Sequence, residues 1–403
     1  MRNRYFLTII TVIFGITAMF FATEFFSRKR QSESIKVGFM YLGDTATAYT
    51  NNFFRSQTEL KDAFGDKVQI YSKYNINEGN PQSCETALQD LVDKGCKIIF
   101  TTSYGYGAVT KSMAKKHPEV QFCHATGYYD DYETPVPNYH TFMGRIHEGR
   151  YVSGIIAGMK LNELITNGKI KRNRAKAGYV GAFAYPEVIS GYTAFFLGVR
   201  SIVPEAEMVV RYTNTWSNHI LEKKCAEKLI DEGCVIISQH SDTSGPAIAC
   251  EEASIKHHKT VFHIGYNQSM TDVAPTTSLA STRINWSPYI FGATEAVLKG
   301  KKIEAVVKSD YKTADSAKGF DKGWIEIAGL NRHILSPGTE EEIEKAIRQL
   351  KNNNLTVFKG NYTGVNPFDE NDTWDLRTPF LECEKRSAPS FCYVLKDVIT
   401  IEE

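Results

Sequence analysis

From Ile35 onward, short apolar runs bounded by turn residues alternate with longer amphipathic stretches. Lys36–Leu42, Val68–Tyr71, Lys97–Thr101 and Val120–His124 read as strands, and Thr50–Ala63, Ser83–Asp93 and Ala108–Lys116 between them carry apolar residues at helical spacing. A helix at Gly149–Leu161 follows, and the rhythm starts again. Strands at Ala177–Phe183, Glu207–Tyr212, Cys234–Gln239 and Thr260–Ile264 are separated by helices at Glu187–Ile202, Leu221–Asp231 and Gly245–Lys256. Such alternation is satisfied most economically by a parallel sheet with helices on both faces, because each crossover helix packs back onto the sheet. The expected fold class is α/β: two doubly wound Rossmann-like lobes joined by a hinge. The first lobe is expected over 35–143 plus about 282–310, and the second over 144–281 plus about 311–403 with a C-terminal extension. Helices at Pro288–Lys299 and Thr339–Leu350 would return to cover or bridge the two.

Composition narrows the partners. A chain of 403 residues, 42% hydrophobic, can fill two ordinary cores. Lysine plus arginine (47) nearly balances aspartate plus glutamate (46), so the basic surplus used to grip phosphate backbones is missing and no nucleic-acid partner is expected. The amino terminus is more telling. Arg2 and Arg4 precede an uncharged, mostly apolar run from Tyr5 to Thr23, which ends at Glu24 and is followed by Arg28, Lys29 and Arg30. Residues 1–34 thus read as a signal sequence or an uncleaved membrane anchor. The run approaches the ~20 residues that span a bilayer and exceeds the ~7–15 of many cleaved signals, which favours the anchor. The body is placed at the extracytoplasmic face of the cell membrane, since nothing after residue 31 reads as a second span. Its eight cysteines form no CxxC pair. Outside the cell an even count invites disulfides, with Cys383 and Cys392 the most plausible local pair; free, buried thiols are the alternative.

Open α/β sheets bind ligands beyond the carboxyl ends of their strands. Four such ends carry aromatic and hydrogen-bonding groups: Gly43 through Asn52, Ser103-Tyr104-Gly105-Tyr106, Asn214 through Asn218, and His240 through Ser244. Tyr49 and Trp216 could sandwich a planar ring while Asp242 accepts hydrogen bonds from it. Each has a plainer alternative: Trp216 as a plug at the end of a core, Tyr49 packed on its sheet, and Asp242 as the cap of the next helix. Arg145 and Arg150 open the helix at the lobe junction, where they could pair with an acidic residue or reach the ligand. Trp286 is read as cleft wall or hinge packing. No phosphate loop, complete dinucleotide fingerprint or nucleophile elbow occurs, so neither an enzyme nor a cofactor is expected.

The segments Gly144-Arg145-Ile146-His147-Glu148-Gly149-Arg150-Tyr151 with Gly154 and Ala157-Gly158, then Pro186-Glu187-Val188-Ile189, resemble the basic membrane protein family of binding proteins. Trp216, Ile237 through Asp242, Gly265-Tyr266, Ala274-Pro275 and Asn285-Trp286 extend the resemblance in the same order. It implies a two-lobed periplasmic-binding-protein clamshell of type I, a receptor for an ABC importer with the permease as partner, and no catalysis. The purine-binding subgroup implies a purine base or nucleoside held between Tyr49 and Trp216 with Asp242 on the base. Asn52, Ser103, Tyr104, Arg145 and Tyr266 complete the expected ligand-binding set. The chain departs from that subgroup in carrying Tyr49 where a tryptophan is usual, in Asn267-Gln268-Ser269 where an acidic residue is expected, and in lacking the lipidation cysteine. Rival readings are a membrane-anchored sensory receptor of the same fold, a nucleoside-cleaving enzyme using Asp242 or Asp44, and an interaction module without ligand.

Overall fold

A computed structural model describes residues 34–127, 135–308, 314–384 and 386–402; the apolar run of residues 5–23 lies outside them. Among the described residues no helix is long and apolar enough to cross a membrane. The chain opens with β1 (Ile35–Met40), α1 (Ala48–Phe64), β2 (Val68–Lys73), α2 (Pro81–Asp93), β3 (Cys96–Thr101), α3 (Gly107–Lys116), β4 (Gln121–Ala125) and β5 (Tyr139–Gly144). A second series follows: α4 (Ile146–Thr166), β6 (Lys176–Gly181), α5 (Pro186–Ile202), β7 (Glu207–Tyr212), α6 (His219–Asp231), β8 (Ile236–His240), α7 (Gly245–His257), β9 (Phe262–Tyr266) and β10 (Ser278–Ile284). The remainder comprises α8 (Ser287–Leu298), α9 (Ile303–Val307), β11 (Asp315–Lys318), β12 (Ile325–Ala328), α10 (Thr339–Lys351), β13 (Thr363–Asn366), β14 (Asp369–Asp375), β15 (Val394–Leu395) and β16 (Ile399–Glu402).

The first sheet runs β11-β5-β4-β3-β1-β2 and the second β12-β10-β9-β8-β6-β7-β16. Their central strands repeat one topology, 5-4-3-1-2 in the first and 10-9-8-6-7 in the second. The strand order reverses around β1 and β6, and the crevices beyond those strand ends are where ligands of such sheets sit. Central strands carry apolar residues on both faces: Ile98, Ile99 and Phe100 of β3 are all fully buried, as expected for a strand covered by helices on each side. Helix α10 shows the other pattern, burying Ile343, Ala346 and Leu350 on one stripe. Glu340 to Glu342 in its first turn and Arg348 and Lys351 in its last complement the helix dipole. Helices α4 and α5 pack so closely that glycine is required at their crossing. A Cβ on Gly154 would lie 1.9 Å from the Phe195 carbonyl oxygen, and one on Gly198 would lie 2.1 Å from that of Tyr151.

Three chain crossings join the lobes, after Gly144, after Ile284 and after Lys318, and they are tied together. Arg145 N–H donates to the Lys318 carbonyl (2.8 Å), Asn285 N–H to that of Trp324 (2.7 Å), and Phe320 N–H to the Glu148 carboxylate (2.9 Å). Trp286, 1% exposed, stacks on Phe53 at 4.2 Å and meets Phe142 edge-on, so it packs the hinge into the first lobe. Two assignments from the sequence need correcting. The second crossing comes after Ile284, because β10 pairs with β9 and β12 in the second sheet. Residues from about 311 were assigned to the second lobe, yet β11 pairs in parallel with β5 and is the edge strand of the first sheet. Four-residue strands such as β11 are too short to declare a periodicity. Cys383 and Cys392 are not bridged to each other. Cys383 is buried, with its thiol directed to the Ser387 carbonyl at 3.3 Å. The C-terminal extension forms a small antiparallel sheet, β14-β13-β15, before β16 joins β7 at the edge of the second lobe.

Candidate functional site

The carboxyl ends of the two sheets enclose a cleft of about 390 Å³. Leu42, Tyr49, Ser103, Tyr104 and Thr126 line it from the first lobe, and Glu187, Trp216, His240, Asp242 and Tyr266 from the second.

In the first lobe the ring of Tyr49, on the first turn of α1, is fixed from behind. Its hydroxyl donates to the Thr102 carbonyl (2.5 Å), and its edge meets Phe53 at 5.3 Å. Burial holds its pKa far above the ordinary tyrosine value, with Glu187, Tyr266 and Asp242 of the other lobe adding to the effect. Ser103 and the Gly105 N–H both donate to Glu78 Oε2, at 2.5 and 2.9 Å, which shapes the loop after β3 and leaves Tyr104 half exposed at the rim. Thr126 closes this wall with φ +65°, a left-handed conformation that costs a β-branched residue energy and is found mostly where a site demands it. Asn267, in the corresponding place after β9, has the same φ of 65°.

In the second lobe one buried side chain, Glu222, organises two loops. Asn218 and Glu222 cap the start of α6 reciprocally: the Asn218 side chain accepts from Leu221 N–H (3.1 Å), and Glu222 Oε1 accepts from Asn218 N–H (2.9 Å). Glu222 Oε2 accepts from Ser241 Oγ (2.7 Å) and Thr243 N–H (3.1 Å), fixing the loop after β8 on either side of Asp242. Trp216 stands on the neighbouring loop, edge-on to Phe183 at 5.2 Å; Phe183 in turn stacks on Tyr185 at 5.0 Å. Asp242 N–H donates to the Trp216 carbonyl (2.9 Å), and Ala48 N–H of the first lobe donates to the Asp242 carbonyl (3.3 Å), so the lobes meet at the edge of the cleft.

The Asp242 carboxyl does not cap α7. That helix begins after Ser244 with no side-chain cap, and the only hydrogen bond Asp242 receives on its side chain among the described residues is from Asn267 Nδ2 at 3.4 Å. Burial, then Glu222 and Glu187, raises its pKa well above the carboxylate range; Arg150 and Asn267 oppose this. His240 is neutral, its pKa pushed down to about 4 by burial and by Arg150, and its Nε2 lies 3.4 Å from Glu187. Tyr266 lies between His240, 4.7 Å away, and the guanidinium of Arg150, 3.8 Å over its ring. Arg150 is buried and donates to the Gln239 carbonyl (2.8 Å). It therefore supports the floor of the cleft and, among the described residues, makes no ion pair across the hinge.

Of the residues expected from the sequence, Tyr49, Ser103, Tyr104, Trp216, Asp242 and Tyr266 come together here. Two do not. Asn52 is turned to the hinge, where its amide donates to the Ile284 carbonyl at 2.7 Å. Arg145 lines a separate cavity of about 710 Å³, with His147, Glu148 and the extension residues Phe358 and Phe380. A helix-opening position gives no clue to which side of a crossing strand the side chain will leave by. His240 was named with its strand end; Leu42 and Thr126 were missed, although each sits just after a strand and the strand-end rule applied evenly would have included them, whereas Glu187, in the first turn of α5, lies beyond that rule.

Comparison with known proteins places this site in a family. Residues 48–350 match the model of the ABC transporter substrate-binding protein PnrA-like family. A purine-binding protein of Brucella abortus is 31% identical over 329 residues, 81% of this chain and 84% of that protein. A Haloferax volcanii protein named as an ABC transporter glucose-binding protein is 28% identical over 282 residues, 70% of this chain and 63% of that one. Among solved structures, an ABC transporter solute-binding protein from Conexibacter woesei superposes with a TM-score of 0.61 at 15% identity, covering 80% of this chain and 98% of that one, and bears out the fold. The cleft built at facing strand ends, the two-lobed fold and the match over residues 48–350 agree: this chain belongs to the PnrA-like family of ABC transporter substrate-binding proteins.

Proposed function

We propose that this protein captures a purine base or nucleoside in the interlobe cleft and delivers it to the permease of an ABC importer. The observation that carries this reading is a narrow cleft walled by aromatic rings from both lobes, Tyr49 opposite the Trp216 and Tyr266 side, with one recessed carboxyl, Asp242, among them. Flat rings supply stacking for a planar heterocycle, and a buried carboxyl supplies in-plane hydrogen bonding. The Brucella abortus relative, named for purine binding, supports the same class. Ligand held on one lobe gains contacts from the other only when the hinge closes, so binding favours the closed form by that difference in affinity. The N-terminal apolar run would tether the body to the extracytoplasmic face of the membrane, and no reaction is required of any residue in the cleft.

Thermal unfolding of the protein against adenine, guanine, hypoxanthine, xanthine, uracil, the matching nucleosides and glucose tests this. A ligand at ~100 times its Kd stabilises the fold by about 2.7 kcal/mol. Stabilisation by a purine supports the reading. Silence across the purines sinks it, and a response to glucose alone transfers the cleft to sugars.

A further inference from the structure

Two carboxyls meet at the loop after β8, Asp242 within it and Glu222 reaching it from α6, and their hydrogen bonds differ. Glu222 Oε1 accepts from Asn218 N–H, and its Oε2 accepts from Ser241 Oγ and Thr243 N–H, the donors flanking Asp242 in the chain. Burial raises the Glu222 pKa, and these donors oppose that rise by stabilising its charged form. Asp242, 8% exposed, receives one bond of 3.4 Å. Glu187 stands in the same cleft as a third carboxyl. The cation of the cluster, Arg150, donates to the Gln239 carbonyl and lies over the Tyr266 ring; its charge opposes protonation of Asp242 but is outweighed by burial and the two glutamates. Carboxyls brought together in a low-dielectric site cannot all ionise, and the proton goes to the one that is both buried and poor in donors: Glu222 has three donors, and the Glu187 side chain keeps 19% of its surface exposed, which leaves Asp242. We propose that Asp242 meets its ligand as a neutral carboxylic acid, donating one hydrogen bond and accepting another, and so selects a ring edge that pairs an acceptor with a donor.

An ionised carboxylate only accepts and would select two adjacent donors. A protonated one matches the amidine edge of adenine, ring nitrogen beside exocyclic amine, or the lactam edge of hypoxanthine. This inference rests on the purine reading of the cleft. Asp242 is pushed toward the neutral form by burial and by Glu222 of α6 and Glu187 of α5, in agreement with the bonding pattern. The other groups facing it are Arg150 of α4, His240, which is neutral above about pH 4, Tyr266 and Asn267 after β9, and Tyr49 of α1.

The test is isothermal titration calorimetry of the full chain with adenine, hypoxanthine and guanine, in buffers of different ionisation enthalpy, which counts protons exchanged on binding. At ~pH 7 the neutral acid predicts no proton released per ligand, with affinity falling and up to one proton taken up as pH rises past the Asp242 pKa. Asp242→Asn, whose amide also donates and accepts, is expected to weaken binding less than ~10-fold and to abolish that pH dependence, against more than ~50-fold for Asp242→Ala. Release of a proton on binding overturns the proposal without needing any variant, and so does Asp242→Asn binding as weakly as Asp242→Ala when both melt like the parent. Binding of none of the three purines overturns this inference together with the purine reading beneath it, whereas purine binding with proton release overturns this inference alone.

Discussion

Replacing Trp216 with alanine removes one wall of the cleft while leaving the loops that carry it intact. The loop is held by backbone and by Glu222: Asp242 N–H bonds the Trp216 carbonyl, and the Asn218 cap bonds Leu221 N–H, and neither involves the indole. The ring itself is half buried and meets Phe183 edge-on at 5.2 Å, a contact worth about 0.5–1.5 kcal/mol beyond area burial. The loss of fold stability should therefore stay within roughly 1–2 kcal/mol. Binding should suffer more. Stacking of a base on an aromatic side chain is worth ~1–3 kcal/mol by alanine substitution, which is a ~5- to 150-fold rise in Kd at 1.4 kcal/mol per decade. Trp216→Phe, which keeps a flat face, should recover most of that. Calorimetric titration with the tightest purine of the panel gives Kd, and thermal unfolding without ligand gives the stability change. A Kd within twofold of the parent would refute the stacking role and leave Trp216 as a plug over Phe183 and Tyr185.

Asn52→Ala should lower the melting temperature, because the Ile284 carbonyl loses its 2.7 Å partner at a cost of ~1–3 kcal/mol, while the intrinsic contacts to ligand stay in place. A large loss of affinity without a loss of stability would return Asn52 to the cleft. Gly154→Val should destabilise by several kcal/mol or prevent folding, since even its Cβ meets the Phe195 carbonyl at 1.9 Å; urea unfolding measures this. Acid should weaken the fold. Burial pushes His124 and His240 down to about 4 and His147 and His263 to about 3. Between these values and the ordinary ~6.5 the unfolded chain binds more protons, so stability falls as pH drops from ~6.5 toward ~4, by up to roughly 3 kcal/mol per histidine. Glu148 acts in the opposite sense: burial raises its pKa to about 7, so its contribution is fullest below the unfolded value of ~4.5 and is lost as pH rises through 7. Glu148→Gln should remove that part of the profile, as followed by denaturant midpoints across pH.

Strand and helix positions were legible because each is a local statement. The buried run of β3 is apolar on both faces, and α6 and α10 announce their stripes and ends through Asn218, the glutamates at 340–342 and Leu350. Strand ends carrying Tyr49, Ser103, Trp216 and Asp242 could be picked out by the same logic, since in a doubly wound sheet the topology forces those ends to one side. The edge strands β11, β12 and β16 could not, because four residues of mixed character fit many partners. The Cys383–Cys392 pairing failed similarly, as closeness in sequence says little about where two thiols point, one buried and one half-buried.

The sequence by itself determined the alternation of strands and helices, the repeat of that pattern in two halves, and the set of strand-end loops from which the cleft is made. Periodicity, caps and turns act over a few residues, so they are written into the chain directly. Only the tertiary structure decided that Arg150 lies under Tyr266, that Asn52 and Arg145 turn away from the cleft, and that Glu222 claims the donors around Asp242. Those outcomes depend on which residues far apart in sequence share a desolvated space. Burial and the competition for hydrogen-bond donors within it set both orientation and protonation, and neither can be assigned to one residue read alone.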